Sequence, residues 1–378
     1  MESLYNKIKK RQVAVIFGYS PFGKRIYEKI KSLKLNVAIF FCDNSSEKQG
    51  GAPEGYVYSV KDATKKYVNS VYILASIYHS KSMYEQLKML GIKDENIIRE
   101  LPDEILEAEK KFEQTNRLER REKFWFGINV SKHCNLNCKG CDHFSPLSKE
   151  KFYDIAVLKK DLQQLSKLLA QKVSGIYLLG GEPLLHPDII EYMKITREYF
   201  PTAEIFILTN GILLVAMKPE FWLACKTYDV GIMPTRYPIK VNYERLQLLA
   251  ENHGVKYEYF GSSESGRTLW HFPLDLEGKQ DPVESFMKCR NANSCITLEN
   301  GKLYTCSIAV NIEIFNQYFN QRLELTEKDG IDIFKLSTAA EIMAELAKPM
   351  PFCRYCDVKN RTYDHKWELS KKDIKEWS

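Results

Sequence analysis

The chain of 378 residues lacks any uninterrupted apolar run as long as a membrane span, which would take about 20 residues. Its N-terminal residues lack the apolar core of a signal peptide. Positive charge is modest, with 55 Lys and Arg against 49 Asp and Glu, and no dense basic tract is present. Internal repeats and low-complexity segments are absent as well. These absences predict a cytoplasmic protein that binds neither membrane nor nucleic acid, although a phosphate-bearing substrate remains compatible with the net charge.

Histidine is scarce, with 7 residues, whereas cysteine is frequent, with 10. Seven of the cysteines fall into two groups, so we interpret them as metal ligands and not as disulfide partners. The first group, Cys134, Cys138 and Cys141, has the spacing C-x3-C-x2-C and follows a predicted strand over 124–130. Three thiolates this close can hold three corners of a [4Fe-4S] cube and leave one iron open to another ligand. A structural zinc site is the alternative for these residues alone.

A second motif, Gly180-Gly181-Glu182-Pro183, follows the apolar run 176–179, which is another predicted strand. Glycines let the backbone approach a small charged group closely. Glu182 offers carboxylate oxygens that can accept hydrogen bonds from an ammonium group. Alone, the motif is compatible with an ordinary turn before a helix that starts near Asp188. Its position one predicted helix after the cysteine loop favours a joint site.

Together the two motifs resemble the signature of the radical S-adenosylmethionine (SAM) superfamily. The resemblance implies a [4Fe-4S] cluster on the three cysteines, with SAM on its open iron and the methionine amino group held by the four motif residues. It also implies reductive cleavage of SAM to a 5'-deoxyadenosyl radical, which abstracts hydrogen from a substrate. The further contacts that it suggests are Asn210, and less distinctively Thr235 and Arg236, which are also compatible with solvated turns. Gly140 stands where relatives usually carry an aromatic residue, and Phe144 is the expected substitute against adenine.

From residue 123 onward, strand-like and helix-like segments alternate, which predicts an α/β fold with parallel strands and helical crossovers. The resemblance implies a partial (β/α)6 barrel. The predicted strands are 124–130, 176–179, 205–208, 230–233 and 255–260, with 269–272 as a weak sixth. The predicted helices are 157–172, 189–199, 219–225 and 243–252.

The second cysteine group lies downstream and surrounds a predicted hairpin, because Asn300-Gly301 is the pair that a type I' turn prefers. The pattern resembles the auxiliary-cluster domains called SPASM and twitch, in the shorter twitch-like form. It implies a second, auxiliary [4Fe-4S] cluster whose ligands are Cys289, Cys306, Cys353 and Cys356. Cys295 competes with Cys289 as the first ligand, and a zinc ribbon is the alternative. Cys42 and Cys225 stand alone in apolar segments and are interpreted as core residues.

The first hundred residues resemble a Rossmann-like module. A strand over 12–17 leads to Gly18-Tyr-Ser-Pro-Phe-Gly23, then to a helix and a second strand that ends at Asp43. Ser20 replaces the middle glycine, which would let backbone approach a pyrophosphate. Three interpretations stay open: a scaffold or docking surface, a nucleotide or nucleotide-sugar site, and true NAD use.

The predicted domains are a Rossmann-like domain over 1–101, a linking helix over 102–122, a partial barrel over 123–280, and a twitch-like domain with tail over 281–378. The tail carries Trp367 and Trp377, to which we assign packing only. His143 and His186 follow the two SAM motifs and are interpreted either as pocket residues or as structural groups.

The predicted function is radical SAM chemistry on a small molecule, a carbohydrate or nucleotide-linked sugar that is oxidised or epimerised. Such an enzyme needs an electron donor of the flavodoxin or ferredoxin class. Modification of a ribosomally made peptide is the first alternative, and a non-enzymatic iron-sulfur or zinc protein is the second. An epimerase must return a hydrogen atom to its substrate, and Cys295, if it holds no iron, is a candidate donor.

Overall fold

The computed structural model describes residues 4–76, 80–99, 101, 124–261, 268–289, 291–292 and 295–378. Contacts divide the chain into two units, Met1–Thr115 and Asn116–Ser378. The predicted linking helix over 102–122 lies outside the described residues.

A parallel sheet organises the first unit. Its strands are β1 (Val13–Phe17), β2 (Ala38–Asp43), β3 (Gly50–Ala52), β4 (Gly55–Ser59), β5 (Val71–Leu74) and β6 (Ile97–Ile98), and its helices are α1 (Leu4–Lys9), α2 (Pro21–Ser32), α3 (Val60–Lys66) and α4 (Ser80–Met89). The strand order is β3-β4-β2-β1-β5-β6, and only β3 is antiparallel to its neighbour. The order reverses at β1, as in dinucleotide-binding sheets. Successive residues of β1 enter separate cores on the two faces, so the predicted Rossmann-like fold is confirmed.

Four parallel strands form the framework of the second unit: β7 (Phe124–Ser131), β8 (Val173–Gly180), β9 (Glu204–Thr209) and β10 (Val230–Pro234). The helices between and after them are α5 (Ile155–Leu169), α6 (Ile189–Tyr199), α7 (Pro219–Thr227) and α8 (Tyr243–Asn252). The apolar faces of these helices pack on the sheet in one continuous core. The predicted alternation of parallel strands and helices is therefore confirmed.

The strands expected after β10 differ from the prediction. Residues 256–260 run beside β10 through backbone bonds such as Glu258 N to Ile232 O, at 3.0 Å, but form only an isolated bridge. The candidate sixth strand is wrong, because β11 (Thr268–His271) pairs antiparallel with β15 (Thr362–Lys366) in a separate ribbon. A short apolar run cannot by itself specify which sheet it joins.

The predicted hairpin is confirmed and extends the main sheet. Strands β12 (Thr297–Glu299) and β13 (Lys302–Tyr304) are joined by Asn300 and Gly301 with φ of 50° and 74°, as a type I' turn requires. Strand β12 pairs in parallel with β7, and β14 (Ile331–Asp332) pairs with β13. The sheet order becomes β10-β9-β8-β7-β12-β13-β14, so the predicted border at residues 280/281 falls inside one unit.

A buried polar cluster fastens the hairpin to the end of β7. The Glu299 carboxylate lies 3.7 Å from the Lys132 ammonium, and both side chains are 8% exposed. The Tyr153 hydroxyl donates to the same carboxylate at 2.8 Å. Because a buried carboxylate without partners is costly, these contacts hold the hairpin in one register against the strand that leads into the cysteine loop.

The remaining helices are α9 (Pro282–Met287), α10 (Ser307–Phe319) and α11 (Ala339–Leu346). Helix α10 and the tail build a second core around Phe315, Phe352 and Trp377. Within the described residues, no helix combines the length and the apolar character needed to cross a membrane.

Candidate active site

The carboxyl ends of β7 and β8 bring the cysteine loop and the glycine motif together. Gly181 N donates to Ser131 O at 2.7 Å, and Glu182 N donates to His133 O at 3.0 Å. A Cβ on Gly181 would lie 2.0 Å from His133 O, and one on Gly180 would lie 2.3 Å from Ser131 O. The glycines therefore permit a close approach between two backbones, whereas the sequence suggested an approach to a charged ligand.

The three cysteines Cys134, Cys138 and Cys141 line one cavity of about 470 Å³. Burial raises the pKa of the Cys134 thiol to about 12 and that of the Cys138 thiol to about 11. Such thiols ionise when a cation binds them, which is what cluster iron does. The set of three thiols in a cavity with room for another molecule fits a cluster with one open iron. The cavity wall also includes Gly180, Gly181, Thr209, Asn210, Thr235 and Tyr237.

Glu182 has a different position from the one that the sequence suggested. Its side chain is buried, and its carboxylate accepts hydrogen bonds from Thr209 Oγ1 at 2.7 Å, Asn210 N at 2.9 Å and Leu184 N at 3.1 Å. It does not line the cavity, and neither does Pro183, which is buried in the turn that follows. Burial raises the pKa of the Glu182 carboxyl to about 7. Glu182 thus braces the strand ends, and a direct contact from its carboxylate to SAM does not fit this arrangement.

Asn210 lies where the sequence predicts it, at the end of β9 on the cavity wall. Its side-chain amide donates to Asn135 Oδ1 at 2.7 Å and approaches Cys134 Sγ at 3.7 Å. Its Oδ1 accepts from Ile212 N at 2.9 Å. Asn210 therefore connects β9 to the cysteine loop, and its contact to SAM stays a prediction.

The two histidines differ in their surroundings. His143 lines the cavity, and its Nδ1 lies 2.8 Å from Asp142 Oδ1, whose other oxygen accepts from Ser307 Oγ at 2.9 Å. His186 is buried away from the cavity. Its Nδ1 accepts from Asp188 N at 3.0 Å, and its ring packs edge-on against Tyr192. His143 is the one that remains a candidate pocket residue.

Besides Glu182 and Pro183, sequence reasoning misplaced Phe144, and it missed Tyr237 and Ser145 in the cavity wall. Phe144 packs on Phe315 and Trp377, away from the cavity, so it does not substitute for the adenine-packing aromatic residue. Tyr237 lines the cavity and acts against burial to lower the pKa of the Cys138 thiol, although the sequence singled out only the strand-end residues before it. Ser145 has a buried Oγ in the cavity wall that has no hydrogen-bond partner within the described part of the chain. The position of Tyr237, three residues after the end of β10, is the signal that could have identified it.

The four predicted auxiliary ligands lie together. Cys289, Cys306, Cys353 and Cys356 line a small second cavity, whereas Cys295 lines the first one. This placement favours Cys289 over Cys295 as the fourth ligand.

Arg361 completes the second cavity. It is 6% exposed, and its positive charge acts against burial to lower the pKa of the Cys356 thiol. Burial raises the pKa of Cys356 to about 11. A cluster on four thiolates is negatively charged, so a buried guanidinium beside it provides compensating charge. The donor set and the charge therefore fit a fully ligated [4Fe-4S] cluster.

In the first unit, the residues of the dinucleotide fingerprint hold the loop itself. Asp43 accepts from Tyr19 N at 2.8 Å through Oδ2 and from Ser45 N at 2.9 Å through Oδ1. Ser20 caps α2 by accepting from Gly23 N at 3.1 Å. In NAD-binding folds the acid at this place contacts the ribose. Because Asp43 is committed to the turn, true NAD use does not fit this loop.

Comparison with known proteins agrees with this geometry. Residues 128–241 match the model of the radical SAM superfamily. GTP 3',8-cyclase of Helicobacter pylori is 31% identical over 93 residues, which are 25% of this chain and 29% of that protein. GTP 3',8-cyclase of Aliarcobacter butzleri is 22% identical over 170 residues, which are 43% of this chain and 51% of that protein. The chain thus spans less than a third of the first relative and about half of the second.

Among solved structures, BtrN in complex with AdoMet and 2-DOIA is similar at 19% identity and a TM-score of 0.41, over 62% of this chain and 93% of that one. The family match and the cavity with its three cysteines define the class of the second unit, which contains a radical SAM domain. Members of that superfamily use a [4Fe-4S] cluster and SAM, and the match covers residues 128–241 of the 378.

Proposed function

We propose that Cys134, Cys138 and Cys141 hold the reactive cluster and that the chain abstracts hydrogen from a nucleotide-linked sugar. The observation that carries the first part is the shared cavity of the three thiols, Gly180, Gly181 and Asn210, inside the matched segment. When bound, the cluster supplies the electron that cleaves SAM to a 5'-deoxyadenosyl radical.

The residues of the chain position the reacting groups and exclude water from the cavity. The glycine motif lies against the cysteine loop, and Glu182 fixes the distance between the ends of β8 and β9. Apolar side chains such as Leu179, Phe260 and Trp270 line the rest of the cavity. A radical formed there is shielded from solvent while it meets a substrate held at the same strand ends.

The nucleotide part of the substrate is supported by two observations. The curated relatives are named GTP 3',8-cyclase, which is an activity on a nucleotide. Arg236 follows the cavity residue Thr235, and its guanidinium lies 4.1 Å from the centre of the Tyr259 ring. Its buried Nε finds no acceptor among the residues that the structure describes. A phosphate or carboxylate oxygen is the acceptor that such a group prefers. We propose that Arg236 donates a hydrogen bond to an anionic group of SAM or of the substrate.

The position of Cys295 favours epimerisation over oxidation. Cys295 lies in the wall of the reactive cavity, where a thiol can return a hydrogen atom to a carbon radical of the substrate. The thiyl radical left on Cys295 then needs one electron and one proton, which a donor of the flavodoxin or ferredoxin class and solvent supply. The proposed auxiliary cluster on Cys289, Cys306, Cys353 and Cys356 has all its irons ligated by protein, so its role is electron transfer.

The test uses protein reconstituted with iron and sulfide without oxygen. We expect about eight irons per chain from the two ligand sets, and 5'-deoxyadenosine from SAM and dithionite. The triple variant Cys134→Ala, Cys138→Ala, Cys141→Ala should keep roughly half of the iron and form no deoxyadenosine. Zinc in place of iron, or no deoxyadenosine from the wild type while a control enzyme works, would contradict the proposal.

The substrate class is tested next with nucleoside diphosphate sugars in D2O. An epimerase should release a product with deuterium at one carbon, and Cys295→Ala should form deoxyadenosine without that product. Turnover of a ribosomal peptide but of no sugar nucleotide would replace the sugar proposal by the peptide alternative.

A further inference from the structure

The C-terminal tail lies directly against the cysteine loop. Lys139 N donates to Glu368 O at 2.9 Å, and Ser370 N donates to Asn137 O at 2.9 Å, so the two segments pair antiparallel across Cys138. The Lys139 ammonium and the Glu368 carboxylate also form an ion pair at 2.8 Å. Packing alone does not describe this contact, because the tail adds a short strand to the loop that carries the proposed cluster ligands.

Trp367 and Trp377 of the tail each donate an indole N–H to this loop, but they donate to different acceptors. Trp367 Nε1 lies 3.2 Å from the sulfur of Cys138 and donates to it. Trp377 Nε1 donates to the backbone carbonyl of Cys141 at 2.9 Å. Trp367 therefore donates to the sulfur atom of a proposed cluster ligand, whereas Trp377 donates to the backbone of one.

The tail is held in place independently of the Trp367 side chain. The Glu376 carboxylate accepts from Ser370 Oγ at 2.5 Å and from Lys371 N at 2.6 Å, which fixes the turn between the two tryptophans. Trp377 is 2% exposed and packs among Phe144, Phe315 and Phe319. Removing the Trp367 N–H should therefore leave the backbone pairing intact.

We infer that Trp367 is a positioning residue of the reactive cluster, whose indole N–H stabilises the Cys138 thiolate ligand and raises the reduction potential of that cluster. The inference rests on the proposed function, because it requires Cys138 to ligate the cluster. A hydrogen bond to a ligand sulfur stabilises the reduced state more, since that state carries more negative charge. The bond thus makes the reactive cluster easier to reduce by its electron donor.

The first test compares wild type and Trp367→Phe, which keeps an aromatic ring and removes the N–H. Reconstituted holoenzyme is titrated with reductant, and the EPR signal that changes on addition of SAM reports the reactive cluster alone. We expect the iron content to stay unchanged. At a fixed potential, the ratio of reduced to oxidised reactive cluster should be lower in the variant by up to about tenfold, which corresponds to a reduction potential about 59 mV more negative for a one-electron couple. An exchangeable proton coupled to that signal in the wild type should be missing in the variant.

Trp377→Phe is the matched control, because its N–H ends on a carbonyl. It should lower the retention of iron by the loop but leave the potential of the clusters that form unchanged. Equal shifts in both variants, or no shift in Trp367→Phe with a full iron content, would overturn the inference while leaving the proposed function in place. A wild type without any SAM-responsive signal would overturn both.

Discussion

The Glu182 carboxylate and the backbone N–H of Asn210 lie 2.9 Å apart and join the end of β8 to the end of β9. The same carboxylate accepts from Thr209 Oγ1 on β9, so two bonds cross between the strands. A buried acid thus fixes the spacing of the two strand ends at the mouth of the cavity. This arrangement has a cost, since ionising a carboxyl inside the protein is unfavourable unless its partners compensate.

The unfavourable ionisation of the buried Glu182 carboxyl should make the free energy of unfolding depend on pH. Because burial raises the pKa of Glu182 to about 7, the folded state holds its proton over a range in which the unfolded state has lost it. The contribution of Glu182 to stability is complete below about pH 4.5 and is lost as pH rises through about 7, by on the order of 3 kcal/mol. Urea unfolding at several pH values measures it, and Glu182→Gln should lack this component. The change Glu191→Gln at a half-exposed position should keep the wild-type curve. A Glu182→Gln variant with that same curve would show that Glu182 is ionised without cost.

Gly181→Ala tests the backbone contact beneath the cysteine loop. The new Cβ would lie 2.0 Å from His133 O, so the loop must shift. We expect loss of roughly half of the iron, by the four-iron count of one cluster, and no formation of deoxyadenosine. Gly51→Ala is the control, because no atom of the other described residues lies within 4 Å of its Cβ position. Full iron with normal SAM cleavage in Gly181→Ala would argue against the tight loop.

Cys289→Ala and Cys295→Ala distinguish the two candidates for the auxiliary ligand. Cys289 lies with Cys306, Cys353 and Cys356, whereas Cys295 lies in the reactive cavity. Iron analysis should show a loss of up to about four irons in Cys289→Ala and no loss in Cys295→Ala. Loss of iron in Cys295→Ala but not in Cys289→Ala would show that Cys295 is the auxiliary-cluster ligand, and it would exclude Cys295 as the hydrogen donor.

Arg361 should control the auxiliary cluster through its charge. Arg361→Gln removes the buried positive charge next to Cys356, which disfavours the more negative reduced state. We expect a potential that is more negative by about 60 mV, a tenfold change for a one-electron couple. Arg361→Lys keeps the charge and should shift the potential less. EPR titration of the signal that does not respond to SAM makes the measurement, and a wild-type potential in Arg361→Gln would disprove the role.

Asp43 is expected to stabilise the first unit without binding a dinucleotide. Asp43→Asn leaves one amide hydrogen facing a backbone N–H, at a cost of about 1–2 kcal/mol in the free energy of unfolding. The exposed change Glu47→Gln serves as the control in the same unit. Titration calorimetry should detect no NAD binding to the wild type. Binding of NAD that Asp43→Asn abolishes would reinstate the dinucleotide site.

The local pattern of apolar and turn residues predicted most of the strands and helices of the second unit. Periodicity located α6 and α8 at their observed bounds, and the Asn300-Gly301 pair located the hairpin. Cysteine spacing grouped Cys134, Cys138 and Cys141, which share one loop, whereas the grouping of Cys353 and Cys356 with Cys289 and Cys306 came from the resemblance to auxiliary-cluster domains. Such features depend on residues close in sequence, which is where one-dimensional patterns carry information.

The contacts that were missed join distant parts of the chain. Trp367 and Cys138 are 229 residues apart, and no periodicity connects an indole to a thiol over that separation. The role of Glu182 depends on the approach of β9, which a turn motif does not encode. Likewise, the partner of β11 is the late strand β15, which composition does not predict.

The pairing of β12 with β7 has a consequence for how this protein can be shortened. A chain cut after residue 280 would lose β12 and expose the backbone N–H and C=O groups of β7 along an open sheet edge. Such an edge recruits other chains, so the truncated protein should precipitate and not behave as a minimal catalytic fragment. The segment after residue 280 therefore belongs to the same folding unit as β7, and the two are expected to fold together.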